Sequence, residues 1–264
     1  MHVLLDDPPP IFEDRLALRL LDPGAERAIR DHSDRFRTPA SRALRSDVLV
    51  RSRYAEDRLA EAVCQGIRQY VILGAGLDTF AYRQPSWARD LRIIEVDHAA
   101  SGRDKRERLE RAGIVSPPNV RYVAADLEAD ALGPLLEGAG LDPSRPAFVA
   151  CLGVLIYLSE GAANAIVATV GGLASGSEFV FTFSRPDAST TGPPAPGSAA
   201  ARVAAAGEPW CTRFEPDVVV ARLRAAGFSS INLLFAGDVT ERYLRERTDG
   251  LRAPARGVIA DALV

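Results

Sequence analysis

The chain reads as an α/β protein: a doubly wound, mostly parallel sheet of seven strands, finished by an antiparallel hairpin and preceded by a helical cap. Two observations predict the sheet. Short apolar runs rich in β-branched residues recur at 70–73, 91–97, 120–127, 147–151 and 176–183, with stretches of helical spacing between them. Such alternation builds a parallel sheet with helices on both faces. The first run is followed at once by Gly74 and Gly76, and the second ends in Asp97, the pattern of a ligand cradle at the carboxyl edge of an open sheet. A third observation adds two closing strands: the last two runs, 230–235 and 257–263, follow the final clear helix at 217–226.

The elements follow in order. Residues 1–9 are expected to be loose, and the prolines at 8–10 block a helix there. Apolar residues sit at helical spacing over 11–21 and 26–31, broken by Asp22-Pro23-Gly24. Residues 41–65 read as a long helix with Leu44, Val48, Leu49, Leu59, Ala62 and Val63 inward. Residues 1–66 thus form the cap and 67–264 the sheet core of one domain, a size that buries a substantial core. Helices are expected over 102–112, 131–138 and 160–173, the last with Ser159 as its N-cap. Residues 185–210 break the rhythm with a turn-rich stretch, and 198–206 could form a small helix. Long irregular segments in compact domains are often functional, so this one is expected to act as a lid over the acceptor.

Composition narrows the function classes. A formal charge of -3 gives no electrostatic footprint for nucleic acid, and acids interleave the basic run at 103–108. The longest apolar stretch, 147–158, is too short to span a bilayer. Three cysteines, Cys64, Cys151 and Cys211, without C-x-x-C spacing argue against a disulfide framework or zinc, and make a reduced cytoplasm the default. Cys64 and Cys151 have the apolar neighbours of core positions.

Glycine at 74 and 76 permits a tight turn and lets a ligand approach the main chain. Asp78 and Thr79 follow, residue types that start helices. A carboxylate about twenty residues on suits ribose hydroxyls. Asp97 takes that role. Glu95 is the competing choice, since strand alternation is taken to point it to the other face. Two ligands fit, a nicotinamide dinucleotide or S-adenosylmethionine. The dinucleotide fingerprint wants a third glycine where Thr79 stands, and Asp78 is a poor neighbour for a diphosphate, so the methyl donor is favoured.

The motif V-I-L-G-A-G-L-D-T at 71–79 with A-Y-R at 81–83, E-V-D-H at 95–98, V-R-S-R-Y-A-E-D at 50–57, A-D-L at 125–127 and G-V-L-I-Y-L at 153–158 resembles the bacterial branch of the leucine carboxyl methyltransferase family. The resemblance covers roughly residues 10–245 and implies a class I S-adenosylmethionine-dependent methyltransferase, whose sheet ends in an antiparallel hairpin. It implies that Arg51 clamps the donor's carboxylate, with Arg53 a weaker candidate, and that Gly74, Ala75, Gly76 and Asp78 receive its amino-acid part. Asp97 would hold the ribose with His98 packed near the adenosine, and Asp126 and Leu127 the adenine; a helix cap is the plain structural alternative for Asp126. The family often carries an acid where this chain has Leu152, so the donor's amino group must be met by Asp78 or a backbone carbonyl near Leu152.

Methyl transfer is an in-line displacement that needs alignment and exclusion of water, with no metal or covalent intermediate. No catalytic base is assigned. A carboxylate acceptor needs none, whereas a hydroxyl does. Tyr82, Arg83 and Tyr157 are expected to line the acceptor pocket. The expected activity is O-methylation of a small molecule, with no nucleic-acid or membrane partner. The oligomeric state is left open between monomer and homodimer. An NAD(P)-dependent oxidoreductase and a non-catalytic donor-binding protein are the competing readings.

Overall fold

The computed structural model describes residues 10–186 and 210–264. Strands β1 (Gln69–Leu73), β2 (Arg92–Asp97), β3 (Val120–Ala124), β4 (Phe148–Cys151), β5 (Glu178–Ser184), β6 (Ser230–Leu234) and β7 (Gly257–Leu263) form one sheet in the order 3-2-1-4-5-7-6. The first five are parallel, and β7 lies antiparallel between β5 and β6. The order reverses between β1 and β4, and the carboxyl ends of strands at such a switch point open into a cleft.

β1 is buried along its whole length, as expected of a strand covered on both faces. Its alternate residues serve two cores. Val71 and Leu73 join Ile94, Val96, Val149, Phe179 and Phe181 on one face. There they meet helices α5 (Leu132–Gly138), α6 (Glu160–Gly171) and α7 (Pro216–Ala225) through Leu136, Ile166 and Leu223. Tyr70 and Ile72 join Ile93, Phe148, Ala150 and Val180 on the other. That face is covered by helix α3 (Pro39–Cys64), which inserts Leu49, Tyr54, Leu59 and Ala62. α3 begins on a Thr38 cap that accepts the Ser41 N–H, with proline in its first turn. The N-terminal helices therefore do not stand apart from the sheet; α3 is one of its covering layers. Before it come the short helices α1 (Leu16–Arg19) and α2 (Ala25–Asp31).

Several expectations need correction. No α-helix follows the glycine turn. Residues Phe80–Tyr82 form one 3₁₀ turn, and the chain reaches β2 through a second 3₁₀ turn at Ser86–Ala88, just after Pro85. The helix after β2, α4 (Ala99–Arg111), starts three residues earlier than its spacing suggested, because the His98 side chain caps it by accepting the Ala100 N–H. β3 ends at Ala124, so Asp126 lies in the following loop. Leu44 is exposed rather than inward, and Cys64 is exposed at the end of α3. Cys151 is buried, and desolvation pushes its thiol up to about 12. Ser159 caps α6 as expected, accepting the Ala162 N–H at 3.2 Å. The expected lid, and the small helix within it, fall almost wholly outside the described residues. Among those residues, no helix is long and apolar enough to cross a membrane.

Candidate functional site

The cleft at the switch point is a cavity of about 1140 Å³. It brings together Arg51, Gly74, Ala75, Gly76, Asp78, Arg83, Asp97, His98, Asp126, Leu127, Leu152 and Tyr157 from seven separate stretches of chain. Tyr82 is absent from this wall. The 3₁₀ turn aims its ring away from the cavity, where its hydroxyl meets those of Tyr122 and the Glu95 carboxylate.

The floor is the glycine turn. Gly74 and Gly76 both have positive φ (65° and 44°), a conformation side chains resist. The N–H groups of Gly74 and Ala75 both donate to the Val96 carbonyl, at 2.8 and 3.1 Å, which ties the turn to β2. A Cβ on Gly74 would run into Val154, so the missing side chain leaves room that packing needs. The Asp78 carboxylate accepts the Phe80 N–H at 2.8 Å and starts the 3₁₀ turn.

Asp97 stands at the carboxyl tip of β2. Its Oδ2 accepts the Gly76 N–H and its Oδ1 accepts the His98 N–H at 2.7 Å, so the acid and the glycine turn meet directly. An ionised carboxylate offers about four acceptor positions, and two of these hydrogen bonds leave others for a ligand. Glu95 does not lie on the opposite face, as the sequence reading had it: residues two apart on a strand share a face. What removes Glu95 from the cavity is its partner. It is 2% exposed and accepts from Lys105 Nζ at 2.9 Å, itself 1% exposed. Desolvation raises the Glu95 carboxyl above its usual range, with Lys105 opposing.

Arg51 reaches the cavity from α3. It pairs with Asp47 at 2.9 Å and lies flat against Gly153. A Cβ on Gly153 would come 2.5 Å from Arg51 Nη1, and Gly153 has a φ of 75°. Glycine there lets the guanidinium sit over the chain beyond β4, next to Leu152. Arg83 also lines the cavity, but its guanidinium is engaged by Glu56 and by Thr79. At the far end, Asp126 Oδ1 accepts the Glu128 N–H at 2.9 Å, so it shapes a loop turn rather than capping a helix; the next helix, α5, has Ala131 at its N-cap. Glu128 in turn accepts the Ser159 N–H, and its contacts with Ser159 hold its carboxyl below the usual range.

Sequence reasoning missed the remaining wall. Phe12, Asp14, Leu20 and Leu21 close one side, Val48 and Ser52 add to it from α3, and Arg108 and Cys211 stand at the rim. Apart from Ser52, which sits in the 50–57 motif, none of these carries a local motif. Arg108 enters because it donates to the Leu20 carbonyl and pairs with Asp22, both at 3.0 Å, across 86 residues or more of chain. Only the apolar spacing of residues 11–21 hinted that this segment packs at all.

The sequence matches the leucine carboxyl methyltransferase family over residues 1–171. Several bacterial relatives carry the name "Putative S-adenosyl-L-methionine-dependent methyltransferase". YktD of Bacillus subtilis is 30% identical over 237 residues, which is 87% of this chain and 76% of that protein. FRAAL3718 of Frankia alni is 33% identical over 177 residues, 66% of this chain and 61% of that protein, so the chain spans less than two thirds of the latter's length. In fold, the chain is similar to a DUF574 family protein from Streptomyces avermitilis, with a TM-score of 0.57 and 20% identity across 90% of each chain.

Proposed function

The chain belongs to the leucine carboxyl methyltransferase family, and on that premise we propose that it is an S-adenosylmethionine-dependent methyltransferase acting on an oxygen of a small molecule. One observation carries the donor reading: the Gly76 N–H at the tip of β1 donates to the Asp97 carboxylate at the tip of β2. The turn that receives a backbone-hugging ligand and the acid suited to a vicinal diol thereby form one surface.

The donor supplies an electrophilic methyl group on a sulfonium. The residues of the cavity do the rest. Arg51, held against Gly153, presents a planar fork to the donor's carboxylate. Gly74 to Gly76 expose main chain to its amino-acid part, and Asp78 or the Leu152 carbonyl faces the ammonium. Asp97 would accept from the ribose hydroxyls, His98 would stand beside the adenosine, and Asp126 and Leu127 would hold the adenine. Phe12, Leu152 and Tyr157 bound the space where the acceptor would align and water would be excluded. No proton relay is assigned, which suits a carboxylate acceptor, already ionised at neutral pH.

The dinucleotide alternative loses support from the glycine turn. The 3₁₀ turn Phe80–Tyr82 supplies no α-helix N-terminus for a pyrophosphate, and Asp78 lies beside it. A donor-binding protein without turnover is favoured by one feature, the apolar Leu152 beside Arg51. Transfer of labelled methyl from S-adenosylmethionine to a panel of carboxylic acids and phenols tests the choice. Turnover on any member supports the enzyme; tight donor binding with no turnover across the panel supports the binding protein.

A further inference from the structure

The glycine turn is joined to the cavity's opposite wall by a chain of buried polar groups that the donor assignment does not use. Thr79 stands where a dinucleotide fold has its third glycine, and it is 2% exposed. Its hydroxyl donates to Asp14 Oδ2 at 2.8 Å and accepts from Arg83 Nε at 2.8 Å. Asp14 is 6% exposed, and its other oxygen accepts the Ala17 N–H at 3.1 Å. Arg83 forks onto Glu56 of α3, and its guanidinium lies 4.7 Å above the ring of Phe12. Arg83 Nε also lies 3.6 Å from Asp14 Oδ1, so four residues from three segments are linked around the Thr79 hydroxyl.

The segment they hold is a wall of the cavity, contributing Phe12, Ala17, Leu20 and Leu21. Its other attachments lie near its ends. Arg53 donates to the Ile11 carbonyl at 3.2 Å, and Arg108 grips Leu20 and Asp22. Helix α1 within it has four residues and buries none of them fully, so its own packing is a weak anchor. The wall's middle therefore depends on Asp14. A charge-assisted hydrogen bond between two buried groups is a strong tie and is expensive to leave half-made.

We propose that Asp14 is a positioning residue: through Thr79 it clasps residues 11–22 against the glycine turn, and this clasp governs how long the donor or its product stays bound. The proposal rests on the reading that the cavity holds S-adenosylmethionine. It requires neither Asp14 nor Thr79 to touch the reacting atoms.

The test uses Asp14→Asn, Thr79→Val and Thr79→Ser in the full chain, with two readouts. The first is the dissociation rate of S-adenosylhomocysteine by stopped flow. The second is amide hydrogen exchange across residues 12–22 without ligand. Asp14→Asn and Thr79→Val are expected to raise both at least tenfold, while Thr79→Ser, which restores the hydroxyl, stays within twofold of the parent. Unchanged exchange in the first two variants overturns the clasp. Faster exchange, or a lower melting temperature, with an unchanged dissociation rate leaves Asp14 a packing role and also overturns the proposal. If the parent binds no S-adenosylhomocysteine, the donor reading fails, and exchange alone decides whether Asp14 clasps the segment.

Discussion

The two sides of the cavity are built differently. The floor, from Gly74 to Asp97, is made of main chain and strand tips: neighbouring N–H groups share the Val96 carbonyl, and one acid spans the gap between adjacent strands. The opposite wall, residues 11–25 with α3 and Cys211, is assembled from side chains far apart in sequence. It is tied by Thr79–Asp14, Arg83–Glu56 and Arg108–Asp22. The floor draws its rigidity from the sheet. The wall draws it from a few polar ties. A floor built into the sheet fixes where a ligand lies, and a separately tied wall sets how firmly it is enclosed.

The sharpest way to break the floor is Gly74→Ala. The new Cβ would overlap Val154 at a positive φ, and overpacking of this kind costs roughly 1–3 kcal/mol. Loss of measurable S-adenosylhomocysteine binding by calorimetry is expected, with a lowered melting temperature. Adding Val154→Ala should recover part of the lost stability, since it removes the clashing methyls but not the strain of a positive φ at position 74. Next in size is Asp97→Ala, expected to weaken donor binding more than tenfold by the same measurement; equal affinity would remove Asp97 from the ribose role.

Leu152→Glu sharpens the contrast from the other direction. A carboxylate beside Arg51 gives the donor's ammonium a charged partner, so donor affinity should rise several-fold, in line with a charged hydrogen bond worth about 1.5–3 kcal/mol less its desolvation. Tyr82→Phe tests the excluded residue. It should leave the Michaelis constants for donor and acceptor unchanged and cost about 1 kcal/mol of stability, read by denaturant unfolding.

The smallest effect is a pH slope. Burial raises the carboxyls of Glu56, Glu95 and Glu178, opposed by Arg83, Lys105 and Arg58 respectively. Each then holds its proton more tightly folded than unfolded. The folded state binds more protons, so stability falls as pH rises from the ordinary carboxylate value, about 4.3, through the raised one. Melting temperatures across that interval should decline modestly. The double variant Glu95→Gln/Lys105→Met, which removes both charges, should flatten part of the decline.

The same contrast explains what could be read from the sequence. Strand positions, both final strands and the glycine turn with its Asp97 were legible because alternation, glycine and the acid's spacing are local signals. The helix expected after Thr79 was misjudged because Asp-Thr also begins a 3₁₀ turn, and Pro85 follows too soon for a helix to grow. Tyr82 was placed in the acceptor pocket because nothing local reveals that Glu95 and Tyr122 draw its hydroxyl away. Asp14 passed unnoticed because its partner lies 65 residues on. A tie between distant segments has no period to detect.

The most direct test of the account is a crystal structure with S-adenosylhomocysteine bound. The account predicts ribose hydroxyls within hydrogen-bond distance of the Asp97 carboxylate and the amino-acid end along Gly74 to Gly76 under Arg51. A glycine turn left bare while the ligand binds elsewhere, or one occupied by a pyrophosphate, would contradict it.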